Sequence, residues 1–209
     1  MNGVSFVSYF ALRALDFDLA FPLRATFIAL PLEQEAKWQF QALQETLKEY
    51  RDILSFQNPQ TPHLTLQYWS EVMEIEYYRI VEQAEAVASK FLCFVTNVTE
   101  ADTFGSRGED RVLFLTLAFS EELARLRKSC PWVSGKPFHP HITLARVRHP
   151  QKFAVQKKRI MKRLRDCSFP IPCDRLRLYA EIAGRKQTPL QDFLFESEKV
   201  EAKEGKAGT

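Results

Sequence analysis

Two of the four histidines in this 209-residue chain stand in near-identical pentapeptides, Pro62-His63-Leu64-Thr65-Leu66 and Pro140-His141-Ile142-Thr143-Leu144. At about 1 in 20 per matched position, a second near-copy arising by chance is on the order of 1 in 10,000. Side chains of an extended segment alternate between faces. Each copy therefore presents an imidazole and a hydroxyl on one side and two aliphatic anchors on the other. A phosphate held between two such strands meets two imidazoles and two hydroxyls. Imidazole, with an ordinary pKa of about 6.5, takes or gives a proton near neutrality, so a pair supplies both proton transfers of a phosphodiester cleavage without a metal. Threonine hydroxyls donate to the nonbridging oxygens, where transition-state charge collects. His63, Thr65, His141 and Thr143 are thus the candidate catalytic residues. Carboxylates at ligand spacing beside these histidines are missing, so neither a metal nor a cofactor is expected.

The elements that position them follow from composition and period. Arg24 to Pro31 has strand character, and Glu33 and Glu35 open a helix behind it. Ala36, Phe40, Leu43, Leu47, Tyr50 and Leu54 fall at steps of three and four, which predicts one long amphipathic helix. Pro62 to Trp69 reads as the next strand, and Tyr77, Val81, Ala84, Ala88 and Phe91 as the stripe of a second helix. Phe91 to Val98 and Arg111 to Phe119 predict a hairpin with a flexible tip around Gly105 to Gly108. Ser120 is the expected N-cap of a short helix ending near Cys130, with Glu121 and Glu122 in its first turn and Arg127 and Lys128 in its last. Pro140 to Val147 is the second motif strand. Pro150 to Arg165 is a basic helix with Phe153, Ile160 and Leu164 inward, and Leu176 to Ile182 and Pro189 to Phe195 close the fold. Helices alternate with strands, yet short turns join several strand pairs, which favours an α+β arrangement of mixed or antiparallel sheets.

A chain of this length with 45% hydrophobic residues buries one sizeable core. The boundaries expected are an N-terminal extension over 1–22, one domain over 23–196 and a polar, disordered tail over 197–209. Residues 1–22 are apolar without a sustained period, which leaves an added strand, a packing arm and a start codon set too far upstream all open. A net charge of +3 is too weak to imply nucleic-acid binding by itself. Cys93, Cys130, Cys167 and Cys173 form no C-x-x-C pair and read as reduced structural thiols. Charges at Arg13, Asp16, Asp18 and Arg24 interrupt the N-terminal apolar stretch, so no membrane span is expected. The basic start and cleavage site of a signal peptide are missing, which makes the cytoplasm the expected location.

Bland readings stand beside the sharp ones. Nothing pairs with His139 or His149, which read as structural. Lys152, Lys157, Lys158, Arg159, Lys162, Arg163 and Arg165 are more simply a solvated helix face than an RNA contact. Phe27, Trp69 and Tyr179 are expected in the core rather than stacked on a base.

At the two H-x-T-x motifs the sequence resembles the 2H phosphoesterase superfamily, and within it the RNA 2',3'-cyclic phosphodiesterases, also called 2'-5' RNA ligase-like proteins. Phe27 to Pro31, Phe104-Gly105 with Arg111 to Leu115, and Leu176 to Tyr179 are similar to that family's other strands. The resemblance implies a bilobed α+β fold with flanking helices and approximate internal two-fold symmetry around a central cleft. It implies hydrolysis of RNA or oligonucleotide 2',3'-cyclic phosphate ends to 2'-phosphomonoesters, with weak reverse 2'-5' ligation. In that reading His63 is the proton donor, His141 the proton acceptor, and the chain is a monomer that needs no protein partner. Arg146 falls at the basic position of H-x-T-x-x-R and would bind substrate. Strict alternation turns it away from His141, so a bulge or a strand end must re-aim it. Two other readings stay open: a 2H phosphodiesterase for another cyclic or 2'-5'-linked small nucleotide, and a non-catalytic RNA-end binding module.

Overall fold

The computed structural model describes residues 19–132 and 138–197. The expectations for residues 1–18 and 198–209 lie outside them. In chain order the elements are β1 (Leu23–Pro31), α1 (Gln34–Thr46), β2 (Leu54–Phe56), β3 (His63–Val72), α2 (Glu74–Ala88), β4 (Phe94–Ser106) and β5 (Glu109–Leu117). They continue with α3 (Glu121–Ser129), β6 (His141–Val147), α4 (Pro150–Arg163), β7 (Phe169–Cys173), β8 (Arg175–Ile182) and β9 (Arg185–Leu194). They form two antiparallel sheets, one of four strands in the order β3-β1-β8-β9 and one of five in the order β2-β6-β5-β4-β7.

An internal two-fold shows in this order. In each sheet the motif strand lies beside the strand that precedes it across a helix: β3 beside β1 across α1, and β6 beside β5 across α3. Each motif strand leads into another helix, α2 or α4. The lobes also exchange an element. α1 follows β1 of the four-stranded sheet but packs on β7 of the five-stranded one, and beside it α4 packs on β5. Arg163 of α4 pairs with Glu49 and donates to the Thr46 carbonyl, which joins the two helices.

Local chemistry accounts for most element ends. Ser120 Oγ accepts the Leu123 N–H at 3.2 Å, capping α3 as expected. The β4–β5 tip is tighter than expected: Arg107 (φ 55) and Gly108 (φ 76) are both left-handed, the signature of a two-residue turn matched to strand twist. β4 therefore runs on to Ser106. Gly105 is required there, because a Cβ would stand 1.8 Å from the Glu109 carbonyl oxygen. Ala183 and Gly184 make the same kind of turn between β8 and β9, so β9 begins at Arg185 and not at Pro189.

Three further expectations are corrected. The helix expected through Leu54 ends at Thr46, where the Thr46 hydroxyl donates to the Leu43 carbonyl and a 3-10 turn follows at Lys48–Tyr50. Leu47, Tyr50 and Leu54 are buried as the stripe requires, but from a turn and a short strand. The inward stripe of α2 is Tyr77, Ile80, Ala84, Val87 and Ala88, rotated from the one expected, with Val81 and Phe91 partly exposed. β7 is an addition to the expected elements, because Pro170 and Pro172 break strand composition. It is an edge strand with both prolines exposed and Phe169, Ile171 and Cys173 inward, where a missing N–H costs least.

Candidate active site

His63 and His141 are the first residues of β3 and β6, two strands in contact where the sheets meet. Each imidazole is fixed in the same way. Nδ1 of His63 lies 2.7 Å from the Thr61 carbonyl oxygen, and Nδ1 of His141 lies 2.8 Å from that of His139. A carbonyl only accepts, so Nδ1 carries the hydrogen in both rings and donates it. This leaves each Nε2 as the group that gains or loses a proton. His139, expected to be structural, serves through its backbone, and exposed His149 stands at the N-cap of α4.

The repeat extends to backbone irregularity. Along β1, Ile28 pairs with Gln67 and Ala29 with Thr65, so Leu66 is an extra residue. Along β5, Leu113 pairs with Ala145 and Phe114 with Thr143, so Leu144 is extra in the same way. Both bulges fall at the fourth residue of the motif, counting from its histidine. Directly paired residues share a face, and on β5 Thr116, Phe114 and Val112 alternate regularly. Their partners His141, Thr143 and Arg146 therefore lie on one face. This is the re-aiming that Arg146 required. In β3 the same shift brings Tyr68 onto the face of His63 and Thr65, because it pairs with Phe27. Tyr68 thus stands where Arg146 stands in the other copy.

A buried residue of α1 supports the second bulge. Gln44 donates to the Leu144 carbonyl at 3.1 Å and to the Gln57 carbonyl at 2.9 Å, and the Gln57 N–H donates to the same Leu144 carbonyl. The irregular backbone behind Thr143 is thereby satisfied. Sequence reading missed Gln44; a polar residue on the inward side of an amphipathic stripe was the available signal.

The two rings differ in surroundings. His63 stacks on Phe27 at 4.6 Å, Phe27 on Tyr179 at 4.7 Å, and Tyr179 is 5.6 Å from His63. Phe27, Ala29 and Tyr179 form a small buried group of their own, apart from the main core. Phe27 and Tyr179 are buried as expected, but they floor the site. Trp69 lies on the opposite face against Trp132. Burial lowers the His63 pKa from 6.5 to about 4, the Thr61 bond opposes the shift, and the charge of His141 adds to it. Burial likewise pushes the Tyr179 hydroxyl up to about 12. His141 meets the edges of Phe104 and Phe114 at 5.3 and 5.5 Å.

Charge separates the lobes as well. On the His63 face, Asp192 accepts from Arg177 through both carboxylate oxygens, at 2.5 and 2.8 Å, and from Arg175 at 2.9 Å. Glu33 takes another bond from Arg177. On the His141 face, Arg146 and Arg148 have no carboxylate partner among the described residues. No cluster of three or more His, Cys, Asp or Glu side chains suited to a metal occurs among the described residues. No helix among them is long and apolar enough to cross a membrane.

Comparison with known proteins gives these features a family. The chain is 31% identical to the RNA 2',3'-cyclic phosphodiesterase of Bacillus subtilis (strain 168) over 105 residues, 45% of this chain and 57% of that protein, so the match spans just over half the length of that relative. The fold resembles the crystal structure of TT0787 from Thermus thermophilus, with a TM-score of 0.65 at 22% identity over 83% of this chain and 99% of that one. It also resembles E. coli LigT complexed with ATP, with a TM-score of 0.56 at 20% identity over 83% and 98%. The model of the 2'-5' RNA ligase superfamily matches residues 31–185, a span that holds both motifs and both bulges, and the chain belongs to that superfamily of 2H phosphoesterases.

Proposed function

We propose that the protein hydrolyses 2',3'-cyclic phosphate ends of RNA or oligonucleotides to 2'-phosphomonoesters, with residues 23–196 as the catalytic domain flanked by an extension over 1–22 and a tail over 197–209. The observation that carries this reading is the matched pair of imidazoles, each pinned at Nδ1 and each followed by a threonine and a bulge. A water attacks phosphorus and gives its proton to Nε2 of His141. The P–O3' bond breaks, and Nε2–H of His63 protonates the departing 3' oxygen, leaving phosphate on the 2' oxygen. Thr65 and Thr143 donate to the nonbridging oxygens, and Arg146 holds the phosphate's charge from the β6 side.

Burial by itself keeps His63 neutral at pH 7. A bound phosphate opposes that effect, since a nearby anion favours imidazolium. The substrate therefore brings the proton donor into its working state. The assignment of donor to His63 and acceptor to His141 follows the family resemblance, as does weak 2'-5' ligation in the reverse direction. A monomer in the cytoplasm acting without a protein partner completes the proposal.

The test is incubation of purified protein with a cyclic-phosphate-ended oligonucleotide in EDTA. A 2'-phosphate product is expected. No product, or a 3'-phosphate alone, overturns the reading.

A further inference from the structure

The face of β6 that carries His141 and Thr143 does not end at Arg146. Arg148, just past the strand, donates its N–H to the Ile53 carbonyl, continuing the ladder with β2, and its guanidinium reaches Ser55 Oγ at 3.4 Å. Ser55 pairs with Arg146 and so shares its face. Arg146 and Arg148 thus lie in line with the catalytic pair, both exposed and neither neutralised by a carboxylate among the described residues. At about 3.3 Å per residue, less the bulge, their backbones stand roughly 13 and 20 Å along the strand from His141. A single nucleotide does not extend that far.

The corresponding positions of the other lobe carry no cation. Tyr68 takes the place of Arg146 on β3 and Ser70 the place of Arg148, while Arg175 and Arg177 of that sheet are bound by Asp192, Asp174 and Glu33. The positive track therefore leaves the cleft in one direction only.

We propose that Ser55 and Arg148 continue beyond Arg146 as a phosphate-backbone track along β2 and β6 that binds linked nucleotides upstream of the reacting phosphate, making an oligonucleotide the preferred substrate over a single nucleotide. The proposal deepens the cyclic phosphodiesterase reading and names Arg148 as its specificity residue. Guanidinium binds phosphate through fixed, paired donors, and each contact on a single strand steepens the salt dependence of binding.

The experiment compares a nucleoside 2',3'-cyclic phosphate with a pentanucleotide ending in the same group, on wild-type protein, Arg148→Ala and Arg148→Lys. Arg148→Ala is expected to lower kcat/KM on the pentanucleotide about tenfold, as loss of a charged hydrogen-bond donor does. The slope of its logarithm against log salt should flatten by about 0.7. The single nucleotide should change less than twofold, and Arg148→Lys should recover most of the loss. An equal fall on both substrates, or no fall on either, overturns the track. Anisotropy of a labelled pentanucleotide with a linear 3'-phosphate reads the same contact without turnover. Unchanged binding in Arg148→Ala overturns it there too. Should wild-type protein process neither cyclic substrate, the cyclic phosphodiesterase reading fails and the binding arm alone decides the track.

Discussion

The two lobes carry one local design in two different settings. In each, the strand begins at a histidine pinned through Nδ1, places threonine two residues on, and bulges at the next leucine. Around His63 the setting is aromatic and electrically closed: a stacked Phe27–Tyr179 floor, with arginines consumed by Asp192 and Glu33. Around His141 it is open, with edge-on aromatic contacts, two exposed arginines toward the end of β6, and exposed Glu100 and Asp102 on the same face across β5. A duplicated motif thus fixes the placement of an imidazole and a hydroxyl twice, while the sheets behind it give each ring its own surroundings.

The hardest test of equivalence is removal of each ring. His63→Ala and His141→Ala should each lower kcat by about 10²–10⁴-fold with little change in oligonucleotide binding. A loss confined to one of them breaks the pairing. Thr65→Val and Thr143→Val keep shape and remove one donor each, and kcat should fall by about 10–100-fold in both. Unequal losses would show that the nonbridging oxygens lean on one lobe.

Stability tests come next. Gln44→Leu removes the side-chain donor from the Gln57 carbonyl and leaves the Leu144 carbonyl with the Gln57 N–H alone, and should cost about 1–3 kcal/mol in denaturant unfolding. Activity should fall further than stability explains if the Leu144 bulge relaxes and lets Arg146 turn away. Asp192→Asn leaves Arg175 with Asp174 and Arg177 with Glu33 as their remaining carboxylates, with an expected cost of about 2 kcal/mol. It should also steepen the salt dependence of oligonucleotide binding by removing one negative charge from the closed lobe.

The subtlest effect is read by pH. His63 in the folded protein titrates at about 4, below its unfolded value. Its contribution to stability is complete above about pH 6.5 and is lost as pH falls toward 4, because the unfolded chain binds a proton that the folded one refuses. The contribution is on the order of 3 kcal/mol. As proton donor His63 works only while it carries its proton, so Phe27→Leu, which opens the floor and raises its proton affinity, should move the limb of kcat/KM that His63 sets upward in pH. NMR titration of the His63 ring checks both, and an unmoved limb separates the aromatic floor from proton affinity.

Much of the candidate site is legible in the sequence because a period of two is a local property. Once His63-Leu-Thr-Leu66 and His141-Ile-Thr-Leu144 are extended, the faces of His and Thr follow. The short helix from Ser120 is equally local, since its cap and end charges lie within ten residues. The expected long helix fails at Thr46 because burial of Leu47, Tyr50 and Leu54 mimics helical spacing while a turn and β2 deliver it. β7 escapes sequence reading because its prolines are tolerated only at a sheet edge, and edges are defined by the whole sheet.

From the residues alone came the candidate proton-transfer pair, the hydroxyls beside it and the need for something to re-aim Arg146. Tertiary structure decided the rest. A bulge exists only against a partner strand, so Arg146 gained its direction from β5 and its support from Gln44, which reaches across 100 residues of chain to the Leu144 carbonyl. The low proton affinity of His63 likewise arises from Phe27 and Tyr179, which only sheet pairing brings to the ring, because desolvation is a property of surroundings and not of sequence neighbours.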